Sequence, residues 1–143
     1  MKKILITLFA LFLIGNNVAN AQCSSFAKKK CLPSLAPYTH NGQLNNTTLA
    51  PGETAEVSMT FYTGQKYRLL VCSESNLAGV FFKLKDSEHK EIYSSKDKGE
   101  NQFDFDVKST QQLFIEVVVP EAGKAAGDID PSGCVSVLVG FKN

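Results

Sequence analysis

From Thr54 onward the chain keeps a period of two. Val57, Met59 and Phe61 alternate with Glu56, Ser58 and Thr60, one apolar face and one wet face, as in a half-buried strand. Thr63-Gly64-Gln65 interrupts the run, and Tyr67, Leu69 and Val71 resume it. That sequence predicts a hairpin with a short glycine-containing loop. Val80, Phe82 and Leu84 then alternate with Phe81, Lys83 and Lys85 up to Asp86-Ser87, and Glu91-Ile92-Tyr93 makes a brief strand. Phe103, Phe105 and Val107 alternate with Asp104, Asp106 and Lys108. Leu113, Ile115, Val117 and Val119 follow until Pro120, and Val135, Val137, Val139 and Phe141 close the chain. Seven to eight short strands separated by turn residues predict an all-β, antiparallel, jelly-roll-like sandwich.

Ahead of Thr54 the alternation is lost. Residues 23–31 allow a helical turn or two. Pro33, Pro37, Gly42 and the polar run Asn45-Asn46-Thr47-Thr48 read as an irregular lead-in. The expected organisation is therefore a lead-in over 22–53 joined to a sandwich over 54–143, with one core between them. Between Pro120 and Gly133 the residues are small, polar and turn-forming, which predicts a surface loop.

The first 21 residues follow a different pattern. Lys2 and Lys3 precede an apolar run from Ile4 to Ile14, broken only by Thr7, and the segment closes on Ala19-Asn20-Ala21. A basic start, an apolar middle and a small-x-small site predict a secretory signal peptide cleaved after Ala21. The run is too short to span a bilayer of roughly 30 Å as a helix, so no membrane span is expected in the mature chain. A bacterial lipid anchor at Cys23 would want a small residue directly before it and an aliphatic residue three before. Gln22 and Asn20 stand there instead, so Cys23 reads as a thiol for pairing. The expected location is the periplasm or beyond.

An exported chain changes how the cysteines read. Cys23, Cys31, Cys72 and Cys134 all follow the signal segment, and an even number in an oxidising compartment predicts two disulfides. Three pairings are possible. The preferred one joins Cys72, at the end of one strand, to Cys134, at the start of another, and leaves Cys23 with Cys31. Zinc is disfavoured because there is no C-x-x-C and no histidine near any of the four.

Charge excludes more than it identifies. The full chain carries a net charge of +1. Without residues 1–21 it has 13 basic against 14 acidic residues, a net −1, which gives nucleic acid nothing to bind. Lys28-Lys29-Lys30 is a short solvated cluster.

No catalytic constellation is legible. His40 and His89 fall in polar turns without a nucleophile motif, and no phosphate-cradling or zinc-binding signature is present. The expectation is a protein that is not an enzyme and needs no cofactor. Asp128 and Asp130 are candidate calcium ligands, and Asp104 with Asp106 share one side of a strand, but calcium wants more oxygens than either pair supplies. Tyr38, Tyr62, Phe81 and Tyr93 are the aromatics that could face outward as a carbohydrate platform or partner patch. The preferred expectation places them in the core, with Tyr62, Phe81 and Tyr93 as the binding candidates otherwise.

Two segments carry a family likeness: Phe61-Tyr62-Thr63-Gly64-Gln65-Lys66-Tyr67-Arg68-Leu69, and Val80-Phe81-Phe82-Lys83-Leu84-Lys85-Asp86. A strand ending in an aromatic, a Gly-polar turn into Tyr-x-Leu, and a later strand ending Leu-x-Asp are similar to the bacterial pre-peptidase C-terminal (PPC) domains. They also resemble the wider jelly-roll group that includes Golgi-dynamics (GOLD) domains. The likeness spans Thr54 to Phe141. The Lys-Lys start and the glutamine after Ala-Asn-Ala resemble secreted proteins of Bacteroidetes-type bacteria. The resemblance implies a sandwich that accompanies other proteins or binds at surfaces, with no chemistry of its own. The functional expectation is an exported accessory or binding module with a protein partner in the cell envelope, the alternative being a carbohydrate- or calcium-binding surface module.

Overall fold

A computed structural model describes residues 18–122 and 131–143. Among them, nine strands form two antiparallel sheets that pack face to face. The first sheet holds β1 (Thr39–His40), β2 (Asn45–Leu49), β4 (Lys66–Ser73), β7 (Gln102–Asp106) and β9 (Gly133–Lys142). The second runs β3 (Thr54–Phe61), β8 (Gln111–Val118), β5 (Phe81–Lys85), β6 (Glu91–Ser94). The seven strands expected from the alternation are β3 to β9, so the jelly-roll-like sandwich stands.

The main core lies between the sheets. Leu69, Val71, Val135 and Val137 of one inner face meet Phe61, Phe82, Leu84 and Ile115 of the other, all buried. These are the inward members of each alternation, as the pleat requires. Phe103 and Phe105 on the edge strand β7 close one side of this core, with Phe103 stacked on Tyr93 of the opposite sheet at a centroid distance of 3.8 Å.

Three sequence expectations are corrected. First, β3 and β4 are not a hairpin. β3 pairs with β8, whereas β4 pairs with β7 and β9, so the Thr63–Gln65 loop crosses from one sheet to the other. Alternation shows which face is apolar, and a loop of this length can close a hairpin or span two packed sheets. Second, the lead-in is not irregular throughout. Asn45–Leu49 pairs with Val137–Gly133 along the outer edge of β9, and Thr39–His40 extends the same edge. A polar run makes a good strand here because it sits at a wet sheet edge.

The third correction is the disulfide pairing: Cys23 bonds Cys134 and Cys31 bonds Cys72. Cys72 lies opposite Ser136 in the ladder, which puts Cys134 on the diagonal. Diagonal neighbours in an antiparallel pair are about 7–8 Å apart, beyond the span of an S–S bridge. Cys23 and Cys31 are about 12 Å apart along helical backbone, by the rise per residue. Each cysteine instead points across to the partner layer, with Cα–Cα separations of 5.3 and 5.9 Å.

Those bridges fasten a third layer. Helix α1 (Val18–Phe26), a π-helical turn (Ala27–Cys31) and a 3₁₀ turn (Leu32–Leu35) lie over the outer face of the first sheet. Their Cys31 and Leu35 pack on Leu70 and Leu138, forming a second, smaller core. As a result Gly133–Gly140 is buried on both faces. Gly140 makes room for this contact: a Cβ there would stand 2.7 Å from Tyr38 Cβ and 2.9 Å from Leu35 Cγ. The expected cleavage after Ala21 would take Val18–Ala21 from α1 and leave Cys23 with its bridge. No helix among the described residues is long and apolar enough to cross a membrane.

Candidate functional site

Three polar neighbourhoods stand out on this scaffold. At one corner, where the N-terminal layer meets β4 and β7, Arg68 donates to both carboxylate oxygens of Asp104, at 2.7 and 2.8 Å, and to the Ala36 carbonyl. The Arg68 guanidinium and the Lys142 ammonium both lie over the Tyr38 ring, and Tyr38 donates its hydroxyl to Asp104. The hydrogen bond from Arg68 holds the Asp104 carboxyl below the usual carboxylate range. Desolvation first, and then the Asp104 charge, lift the Tyr38 phenol above its ordinary value. This corner ties the outer layer to the sheet. Both carboxylate oxygens of Asp104 are committed to Arg68.

The outer face of the second sheet is a lattice of opposite charges. Glu56 and Glu116 are directly opposite each other in the β3–β8 ladder, a repulsive placement on its own. Lys85 donates to both, and Lys83 lies between Glu116 and Glu91. The hydrogen bond to Glu116 is the main reason the Lys85 ammonium titrates above its ordinary value. His89 stacks on Phe114 at 4.1 Å and sits 3.8 Å from Glu56. These contacts pair the charges of this face with one another.

The third neighbourhood is concave. β2 turns at Pro51-Gly52 into β3, joining the two sheets at one end of this side, and the start of β2 and the end of β3 lie at the other. The opening there is a cleft of about 440 Å³ between the 41–44 loop and the 62–65 loop. Asn41 and Gln43 stand on one side, Tyr62 and Gln65 on the other, and Ser58 and Thr60 along the free edge of β3. Phe141 and Val139 form part of its floor. The lining residues carry no charge.

Local contacts fix both loops. Tyr67 donates its hydroxyl to Gln65 Oε1 at 2.8 Å and accepts from the Tyr62 N–H at 2.9 Å. Thr63 donates its N–H to Thr110 Oγ1 and its hydroxyl to the Lys108 carbonyl. Gly64, at φ +85°, supplies the left-handed turn that ordinary side chains avoid. Across the cleft the Gln43 N–H donates to Asn41 Oδ1 at 2.9 Å, and the His40 ring is 3.0 Å from the Gln43 carbonyl. His40 therefore serves a turn.

The aromatics singled out from the sequence have separate fates. Tyr62 is 60% exposed and stands at the cleft rim, which corrects the expectation that it is core. Its strand parity points away from the core at the end of β3, where no second layer covers it. Phe81 is half-buried with the Lys96 ammonium over its ring. Tyr93 is half-buried against Phe103 and Phe82 and donates to Glu100, so it belongs to the core rim. The three candidates are brought to no common surface. Asp128 and Asp130 lie outside the described residues. Among the described residues no group of three or more His, Cys, Asp or Glu side chains is placed to hold a metal. The residues that sequence reading missed are Asn41, Gln43 and Gln65. Each is a polar residue in a turn, with no local signal of being brought together.

No known protein family and no curated protein sequence matches the chain. Solved structures do match its fold. One is the periplasmic inhibitor of g-type lysozyme, PliG, from Aeromonas hydrophila, with a TM-score of 0.51 and 13% identity over 74% of this chain and 89% of that one. The VP2 subviral particle of infectious bursal disease virus matches at a TM-score of 0.40 and 13% identity, over 69% of this chain and 32% of that one. The CBM36-1 domain of a multidomain xylanase from the hindgut metagenome of Trinervitermes trinervoides matches at 0.34 and 18% identity, over 76% and 93%. The likeness to PliG is one of fold: a β-sandwich.

Proposed function

We propose that this protein is a non-enzymatic binding module of the extracytoplasmic space whose partner is another protein of the envelope or its surroundings. The observation that carries the reading is the fold shared with most of a periplasmic inhibitor of g-type lysozyme. Two disulfides support the compartment, because such bridges persist where thiols are oxidised. The signal-like residues 1–21 support it from the sequence. The two-sheet architecture is also compatible with the PPC- or GOLD-like resemblance, which remains part of this proposal.

The test uses the chain beginning at Gln22, purified with its disulfides intact. Cross-linking in envelope extracts, followed by reconstitution with each purified candidate, is expected to give a saturable complex with one protein. A g-type lysozyme is the first candidate to assay directly, by the rate of cell-wall lysis with and without the module. Complexes that fail to reconstitute from purified components, together with unchanged lysis, would remove the reading.

A further inference from the structure

We propose that the cleft between the 41–44 and 62–65 loops is a binding site for a neutral saccharide. This goes beyond the protein-partner reading and stands on a different part of the molecule's chemistry.

The cleft is small, polar and uncharged. Its volume, about 440 Å³, falls in the range of small-ligand sites, roughly 300–1,000 Å³. It is lined by hydrogen-bonding groups of both kinds without a single charged side chain. A charged ligand would lose its hydration there and gain no counter-charge. An apolar ligand would cover the carboxamides of Asn41, Gln43 and Gln65 without pairing them, at the cost of any polar group covered without a partner. The class that fits is neutral, polar and compact.

The orientation of the polar groups narrows the class further. Asn41 Oδ1 already accepts from the Gln43 N–H, and Gln65 Oε1 already accepts from Tyr67. Each carboxamide therefore spends its oxygen on its own loop and keeps its NH₂ for a ligand. The two loops lie on opposite sides of the opening, and the free edge of β3 borders it at Ser58 and Thr60. A ligand rich in hydroxyls, each both donor and acceptor, satisfies such a ring.

A saccharide also has an apolar aspect, the C–H face of its ring. Phe141 and Val139 provide apolar floor. Tyr62, 60% exposed, offers a free aromatic face at the rim, the posture of a stacking residue. The loop holding Tyr62 is pinned by Tyr67, Thr110 and Lys108 before any ligand arrives. Little ordering is left to oppose binding. An extended peptide laid along the free edge of β3 is the rival occupant. It would be held mainly by main-chain hydrogen bonds and would leave the paired carboxamides and Tyr62 less used.

The experiment is an amide NMR titration of the Gln22–Asn143 chain. The probes are neutral chito-, cello-, xylo- and malto-oligosaccharides, an acidic oligogalacturonate, and a pool of neutral extended heptapeptides. At least one neutral oligosaccharide is expected to shift the Asn41, Gln43 and Gln65 side-chain amides saturably, with the acidic oligosaccharide silent. Tyr62→Ala should weaken that binding about tenfold, the scale of one lost aromatic contact. Gln65→Glu should weaken it as well by removing the donor. Because Tyr62 is exposed, Tyr62→Ala should keep the wild-type spectrum elsewhere, so loss of binding cannot be mistaken for unfolding. No saturable shift with any neutral saccharide would overturn the proposal, as would a shift indifferent to Tyr62→Ala. A peptide that shifts the β3 edge where no sugar does would overturn it in favour of strand addition.

Discussion

Tyr93 sits where the two sheets meet at their β6–β7 side, stacked on Phe103 and donating to Glu100 at 2.7 Å. Burial first, and then the Glu100 hydrogen bond, push its phenol up to about 12. A phenol whose folded pKa exceeds its unfolded value of about 10 contributes stability below that value and loses it as the pH climbs towards the folded one. Stability should therefore fall between about pH 10 and 12. Glu100→Gln should lower the Tyr93 ionisation in an ultraviolet absorbance titration, while burial still keeps it above an exposed tyrosine. Asp104 has the opposite sign. Its depressed pKa gives stability that is present above the normal carboxylate range and lost as acid titrates the folded carboxyl. Asp104→Asn should flatten the acid limb of a stability profile below about pH 4, and because the carboxylate is partly exposed the gain at stake is modest. Gly140 tests a contact where charge plays no part. Gly140→Ala should cost about 1–3 kcal/mol in denaturant unfolding, since its methyl must displace Tyr38 or Leu35.

At the scale of elements, β9 organises the molecule. It pairs with β4 on one side and with β1 and β2 on the other, and it is covered above and below. Leu138 in β9 and Leu70 in β4 stand on the outward parity and are fully buried, because both strands are covered on both faces. The alternation showed only the inward face; that residues 18–35 cover the outward one, through Cys31 and Leu35 on Leu70 and Leu138, was decided by the tertiary fold. The bridges make the layer permanent. In the chain-entropy account, closing loops of 41 and 111 residues stabilises by about 4 and 5 kcal/mol taken singly. Replacing Cys31 and Cys72 together by Ser should cost about 2–5 kcal/mol. It should also speed amide exchange across Ala27–Leu35 ahead of the sheets. Non-reducing peptide mapping should recover Cys23 linked to Cys134 and Cys31 linked to Cys72, and a Cys72–Cys134 peptide would refute this arrangement.

At the scale of the whole molecule, stability is layered. Amides in the interior of β9 and β4 should exchange slowest, and those of β1 and of β6, where Ile92 is 53% exposed, should exchange fastest. Hydrogen exchange followed by mass spectrometry would show the order directly. The same scale explains what could be read in advance. Alternation of period two predicts strands and their inward faces because the pleat is a local property of the backbone, and β3 to β9 follow from it. That the four cysteines form two disulfides likewise needed only composition. Which strands pair was decided by tertiary structure, because backbone ladders are indifferent to side-chain identity once the faces match. Hence Thr63–Gln65 could look like a hairpin and be a crossing between sheets. Disulfide partners were decided the same way, since an S–S bond needs two Cβ atoms within about 4.5 Å and that distance is set by register and layer stacking. The cleft is the extreme case. Asn41, Gln43, Tyr62 and Gln65 are unremarkable turn residues in the chain, and only the packing of one sheet on the other brings their two loops around one opening.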